Sequence, residues 1–126
     1  MGALRKENIM IERRCIMWGN GIPCVYIAIE QKDSDRIRVK VGLSRSMGRR
    51  RRAISYHYGL RTIYEEYAID EKLEAIEMDL IRWLWNAPTA ESVSYEVVRV
   101  DYHIAEMLVD AFPTMVDNLN HYYRGA

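Results

Sequence analysis

Cysteine, histidine and proline are scarce in this 126-residue chain, which holds two, three and three of them respectively. Cys15 and Cys24 are too few for a zinc ribbon or zinc finger, which needs four ligands at set spacings. A disulfide between them is one interpretation, but nothing points to export, so two reduced thiols are favoured. The histidines lie far apart and form no ligand pair at helical spacing.

Long apolar runs are also missing, and none reaches the roughly 18 residues of a membrane-spanning helix. The first residues show no apolar segment followed by a small-residue cleavage site, which a secretory signal would have. No internal repeat and no proline- and glycine-rich linker interrupts the chain. We therefore expect one domain over residues 1–126, located in the cytoplasm and without a membrane partner.

The chain has no net charge, with 18 basic and 18 acidic residues, but the two signs are segregated. Residues 36–61 contain nine basic residues and no acidic ones, whereas residues 65–79 contain seven acidic residues and one basic one. A local positive block can attract a polyanion although the whole chain is neutral. Alternatively, the acidic block pairs with the basic block of a second copy, which would make a homodimer.

Alternation and turn signals predict an α+β fold, a small antiparallel β-sheet flanked by helices. Residues 24–30 and 38–43 alternate and read as a hairpin with one buried face, which follows a turn at 19–23. The other face would carry Tyr26 near Lys40. The rest of a β-β-α-β-α core, about residues 23–86, would be a helix ending at Tyr58 before Gly59, a strand at 61–68 and a helix at 71–85 capped by Asp70.

A C-terminal extension over residues 91–124 follows this core. It is predicted to contain one strand at 92–100 and a helix that Pro113 interrupts or kinks.

One carboxylate departs from the helical pattern of residues 71–85. Glu77 falls inside an apolar stripe, one turn from Leu73 and one turn from Leu80. A carboxylate among core positions is costly unless it is paired, hydrogen-bonded or bound to a metal. A structural ion pair with an arginine would satisfy it equally well.

Four consecutive arginines, residues 49–52, occupy the predicted helix that follows Gly42. Arg50 and Arg51 flank the inward face, whereas Arg49 and Arg52 point away from it and would be solvated or touch phosphate. An inward-flanking guanidinium suits bidentate contact with a carboxylate or a phosphate.

Cys24-Val25-Tyr26 lies on the first strand of the hairpin and Lys40-Val41-Gly42 on the second. Arg50 follows about two helical turns later, and Glu77 precedes a leucine at short spacing. In this order the chain, over about residues 23–112, resembles the GIY-YIG nuclease superfamily, especially its short phage- and virus-type members with a K-I-G-like second motif. Cys24 replaces the first glycine of the family pattern.

The resemblance implies a divalent-metal-dependent endonuclease that hydrolyses DNA phosphodiester bonds, in the host cytoplasm if the protein is of phage or viral origin. Glu77 would hold Mg²⁺ or Mn²⁺, and Arg50 would neutralise charge in the transition state. Tyr26 would be the general base, assisted by Lys40, unless it only packs on the strand beside Ala28. His57 is the candidate for the family's histidine.

Under the same resemblance, DNA phosphates would be contacted by Arg45, Arg49, Arg51 and Arg52. The alternative is a catalytically inactive, nuclease-like module that binds nucleic acid or protein, because a fold does not establish an activity.

Overall fold

A computed structural model of the chain describes residues 20–60 and 62–125, except for the side chains at positions 20, 48 and 56–58. Strands β1 to β5 span Asn20–Ile29, Arg36–Ser46, Thr62–Tyr67, Glu91–Ser94 and Val97–Asp101. Helices α1 to α3 span Met47–Tyr58, Leu73–Trp85 and Tyr102–Gly125, and a 3-10 turn, Asp70–Lys72, leads into α2.

The strands form one five-stranded sheet in the order β3-β1-β2-β5-β4, with every neighbouring pair antiparallel. Together with the flanking helices, this sheet confirms the predicted α+β fold. Tyr26 of β1 lies opposite Gly42 of β2 and opposite Glu65 of β3. The pairing therefore brings the two sequence motifs side by side.

The start of β1 differs from the prediction, because residues 20–23 belong to the strand and not to a turn. Gly21 has φ +87°, and the pairing with β2 shifts register between Asn20 and Cys24. A bulge of this kind accommodates glycine in the left-handed region without ending the strand. Glycine and proline mark bulges as well as turns, and here they mark a bulge.

Both faces of the β1–β2 hairpin are buried, so the prediction of one buried face was wrong. We call the side with Val25, Ile27 and Ile29 the apolar face; it packs against α2 and α3. We call the side with Tyr26 and Lys40 the charged face. Here α1 folds over the strands through residues such as Met47 and Ile54, which alternation within the strands cannot reveal.

The ends of the helices follow the sequence only in part. Gly59 has φ +67° directly after α1, as predicted. Asp70 does not cap α2, because its carboxylate accepts a hydrogen bond from Arg45 and it lies in the 3-10 turn. Pro113 lies inside an uninterrupted α3. Proline removes one backbone hydrogen bond, but Phe112 and Val116 are buried on either side of it and hold the helix in place.

The C-terminal extension contains two strands where the sequence predicted one. β4 and β5 form an antiparallel hairpin, and the turn between them is made by Tyr95 and Glu96. Neither residue is a usual turn former, and apolar and polar residues continue to alternate across them. The sequence therefore predicted one strand in place of two. β5 pairs with β2 only from Arg36 to Lys40.

The outer end of β3 is closed by a side chain of α3. Asn120 is buried, and its Oδ1 atom accepts a hydrogen bond from the backbone N–H of Ile69 at 3.0 Å. Its Nδ2 atom donates to the backbone oxygen of Tyr67 at 2.8 Å. This one side chain attaches the second half of α3 to the edge of the sheet.

None of the helices in the described ranges combines the length and the apolar character that crossing a membrane requires.

Candidate active site

Tyr26 occupies the centre of the charged face and is fully buried. Its hydroxyl end lies over Gly42, where an added Cβ atom would be only 2.3 Å from the hydroxyl oxygen and 2.5 Å from the ring carbon that bears it. Gly42 is therefore required at this position because the tyrosine occupies the space that any side chain would need. The two sequence motifs interlock physically at this contact.

Arg50 reaches the same hydroxyl from α1. Its Nε atom lies 3.4 Å from the hydroxyl oxygen of Tyr26 and donates a long hydrogen bond to it. The face assignment from the sequence is confirmed, since Arg50 and Arg51 are half-buried whereas Arg49 and Arg52 are exposed. The apolar residues of α1 set this rotation of the helix.

Lys40 is the most unusual residue of the site, because its side chain has no exposed surface. Its Nζ atom lies 2.5 Å from Oε2 of Glu96 and 5.4 Å from the centre of the Tyr26 ring. Burial alone would lower the pKa of Lys40, but the phenol of Tyr26 and the hydrogen bond with Glu96 outweigh it and raise the pKa above its usual value. Lys40 therefore remains a cation.

Glu77 approaches from α2, the helix that packs on the apolar face. Leu73, Ile76 and Leu80 of α2 are fully buried, while Glu77 is half-buried at the margin of their stripe and not inside it as predicted. Burial raises the pKa of Glu77 above its ordinary value, and the charge of Glu96 raises it further.

The cations of Lys40 and Arg50 act on the pKa of Glu77 in the opposite direction. Glu77 is thus within electrostatic reach of Lys40 and Arg50, although its helix packs on the opposite face of the sheet.

Other predicted residues lie outside this cluster or outside the described side chains. Arg45 is exposed and pairs with Asp70 at 2.7 Å and with Glu74 at 3.8 Å. Arg51 turns inward, with its Nε atom 3.8 Å from the carboxylate of the fully buried Glu65. These pairs join the basic and acidic blocks within one chain. The side chain of His57 is not among those described.

Sequence reasoning missed two acidic residues of the charged face, Glu65 and Glu96. Glu65 belongs to the acidic block of residues 65–79, but its alternation with Ile63 on β3 already indicates the face that it shares with Tyr26. Glu96 carried no signal of its own. The only indication was that a lysine in a buried strand needs an acidic partner.

The carboxylate of Glu77 is chemically suited to a hard divalent cation. Among the residues that the structure describes, no group of three or more histidine, cysteine, aspartate or glutamate side chains is arranged to hold a metal. Mg²⁺ does not require such a group, since it commonly keeps several waters and binds through one or two carboxylates and substrate phosphates. The like charge of Glu96 near Glu77 is the kind of repulsion that a bound cation relieves.

Comparisons of this chain with protein-family models, curated proteins and solved structures return no match.

Proposed function

We propose that this protein is a divalent-metal-dependent endonuclease that hydrolyses DNA phosphodiester bonds. The observation that carries the proposal is the meeting of the Tyr26 phenol, the Lys40 ammonium group and the Arg50 guanidinium group from β1, β2 and α1, with the Glu77 carboxylate of α2 within electrostatic reach of both cations. Phosphodiester hydrolysis needs a deprotonation route and positive charge near the phosphoryl oxygens, and these side chains supply both.

The two half-buried residues are suited to meet the substrate. The Arg50 guanidinium can bind a non-bridging phosphate oxygen and offset the negative charge that grows there during the reaction. Glu77 would hold Mg²⁺ or Mn²⁺, which when bound polarises the phosphate and lowers the pKa of a coordinated water. Both residues keep part of their side chains exposed in the described structure.

Tyr26 is the proposed proton acceptor. Its hydroxyl oxygen, which lies beside Lys40 and Arg50, would first release its own proton to solvent and then take a proton from the attacking water as the new phosphorus–oxygen bond forms. The bond to the leaving nucleotide oxygen breaks, and that oxygen takes a proton from solvent. Because Tyr26 is fully buried, DNA binding must open a path to its hydroxyl.

The outer surface of α1 is the proposed contact with the DNA backbone. Arg49 and Arg52 are exposed there, and Arg45 lies exposed at the end of β2. Arg51 pairs with Glu65 inside the fold, so we assign it a supporting role and not a phosphate contact. Binding through these arginines should weaken steeply as salt rises.

A nicking assay on supercoiled plasmid tests the proposal. We expect the wild-type chain to nick DNA with Mg²⁺ or Mn²⁺ and to stop when EDTA removes the metal. Glu77→Ala should abolish nicking, whereas Glu74→Ala, an exposed carboxylate one turn earlier on the same helix, should leave the activity close to wild type. Nicking that survives in a folded Glu77→Ala variant would contradict the assignment.

A second candidate function is a nuclease-like module that binds nucleic acid without cutting it. The full burial of both Tyr26 and Lys40 favours this alternative. It predicts salt-sensitive DNA binding that needs no metal, with no nicking under any metal condition. Gel-shift and nicking assays on the same samples separate the two functions.

A further inference from the structure

We propose that Glu96, in the turn between β4 and β5, is a positioning residue that holds Lys40 against Tyr26. The inference deepens the proposed nuclease function and depends on it. It also assigns a role to the C-terminal hairpin, which lies outside the predicted β-β-α-β-α core.

The first support is the geometry of the pair. Glu96 Oε2 lies 2.5 Å from Lys40 Nζ, and Lys40 has no exposed side-chain surface. A fully buried ammonium group needs a counter-charge to stay ionised and in place. Glu96 supplies it while 32 % of its own side chain remains exposed. Lys40 can thereby stay charged beside the ring of Tyr26.

The second support is the way the turn is anchored. The backbone oxygen of Glu96 accepts a hydrogen bond from the N–H of Val41, the residue after Lys40, at 3.3 Å. This hydrogen bond lies one residue beyond the last pair between β2 and β5, which is Lys40 with Val97. The turn therefore continues the edge of the sheet at the position where Lys40 needs its partner.

The same turn is tied to the helix that carries Glu77. The Tyr95 hydroxyl donates to the sulfur of Met78 at 3.1 Å, and the indole N–H of Trp85 donates to the backbone oxygen of Tyr95 at 3.0 Å. The rings of Trp85 and Tyr95 also meet edge to face, with centroids 5.4 Å apart. These contacts hold one short turn against both β2 and α2.

Removing the charge of Glu96 should therefore change the rate of the chemical step more than DNA binding. Three other ionisable groups surround the pair formed by Lys40 and Glu96. They are Tyr26 of β1, Arg50 of α1 and Glu77 of α2. The loss of a group that orients a metal ligand typically costs about 10- to 100-fold in affinity or activity, and Glu96 orients Lys40 in a comparable way. We expect Glu96→Gln to lower kcat by about that factor and to leave KM for plasmid DNA within about twofold.

A double-mutant cycle tests whether Glu96 acts through Lys40. The four proteins are wild type, Glu96→Gln, Lys40→Met and the double variant, each assayed for plasmid nicking well below its melting temperature. If Glu96 only positions Lys40, the double variant nicks no more slowly than Lys40→Met alone. Glu96→Asp, which keeps the charge, should recover part of the rate that Glu96→Gln loses.

Glu91→Gln is the matched control, because Glu91 is an exposed carboxylate of the same hairpin that pairs with Arg36 and Arg99. It should nick like wild type. Equal rates for Glu96→Gln and wild type would overturn the inference alone, as would rate losses that multiply in the double variant. A folded wild-type chain that nicks no plasmid would remove both the inference and the proposed function.

Discussion

The two faces of the β1–β2 hairpin are equally buried but chemically opposite. Neighbouring residues of β1, Ile27 on the apolar face and Tyr26 on the charged face, both have no exposed surface. One lies among aliphatic side chains, and the other lies beside a guanidinium and an ammonium group. Burial alone therefore does not distinguish a packed core from a candidate site, whereas the kind of group that is buried does.

The two faces also differ in how much they contribute to the stability of the fold. Burial of aliphatic side chains stabilises the fold in proportion to the apolar area removed from water. Ion pairs with a buried member, such as Lys40–Glu96, are close to neutral for stability, because desolvation of the buried charge offsets the attraction between the two groups. Aliphatic side chains at the positions of the charged face would therefore stabilise the fold more than the charged ones do. This favours a functional explanation for the charged face.

The largest expected effect belongs to the charged face. We expect Arg50→Ala to lower the plasmid-nicking rate by about 10³-fold, the size of effect seen when an arginine that neutralises a phosphoryl transition state is lost. Arg52→Ala, exposed on the same helix, should weaken DNA binding modestly and reduce its salt dependence, with little loss of rate at saturating DNA. Similar rate losses in both variants would show that the arginines act collectively on DNA and not at a site.

Neighbours on β1 give the most direct comparison of the faces. Ile27→Ala should lower the free energy of unfolding by about 3 kcal/mol, because it leaves a cavity in the aliphatic core. Its nicking rate, measured well below the melting temperature, should stay near wild type. Tyr26→Phe should lower the free energy of unfolding by only about 1 kcal/mol and abolish nicking. Urea titration and the plasmid assay measure the two quantities, and a Tyr26→Phe variant with full activity contradicts the general-base role.

Gly42→Ala should affect stability and activity together. The added methyl group would meet the Tyr26 hydroxyl at 2.3 Å, so the ring must move within a packed interior. We expect a loss of about 2 kcal/mol in the free energy of unfolding, typical of overpacking, with nicking greatly reduced. Gly125→Ala is the control, because no atom lies within 4 Å of its added methyl group. Wild-type stability in Gly42→Ala would mean that Tyr26 is less constrained than its contacts indicate.

The smallest effect concerns the pH dependence of stability. Because the pKa of Glu77 is raised in the folded chain, the folded state binds more protons than the unfolded state above the ordinary carboxyl range. Stability therefore falls as pH rises from about 4 through the folded pKa. Glu77→Gln should melt slightly higher than wild type at pH 7, and the difference should vanish below about pH 4.

Added Mg²⁺ sharpens this comparison. Mg²⁺ should raise the melting temperature of wild type but not that of Glu77→Gln. The reason is that the Glu77 carboxylate would bind the ion, whereas the uncharged amide of the variant would not. Equal responses of the two proteins to Mg²⁺ would argue against Glu77 as the metal ligand.

The sequence predicted what depends on local pattern. Alternation located β1 and β2, and the apolar positions of α1 assigned the directions of Arg50 and Arg51. The role of Glu96 could not be predicted for two reasons. Its partner Lys40 lies 56 positions away in the sequence. The turn that contains Glu96 has no glycine or proline to mark it. The charged face is buried because α1 folds back over the sheet. No pattern within the strands encodes that arrangement.

The amide of Asn120 has a consequence for how this protein behaves at high concentration. β3 is the outermost strand on its side of the sheet, and exposed strand edges recruit further strands from other molecules. By occupying backbone groups of Tyr67 and Ile69, Asn120 takes up positions that an incoming strand would use. The later turns of α3 therefore block the C-terminal end of this edge to strand addition.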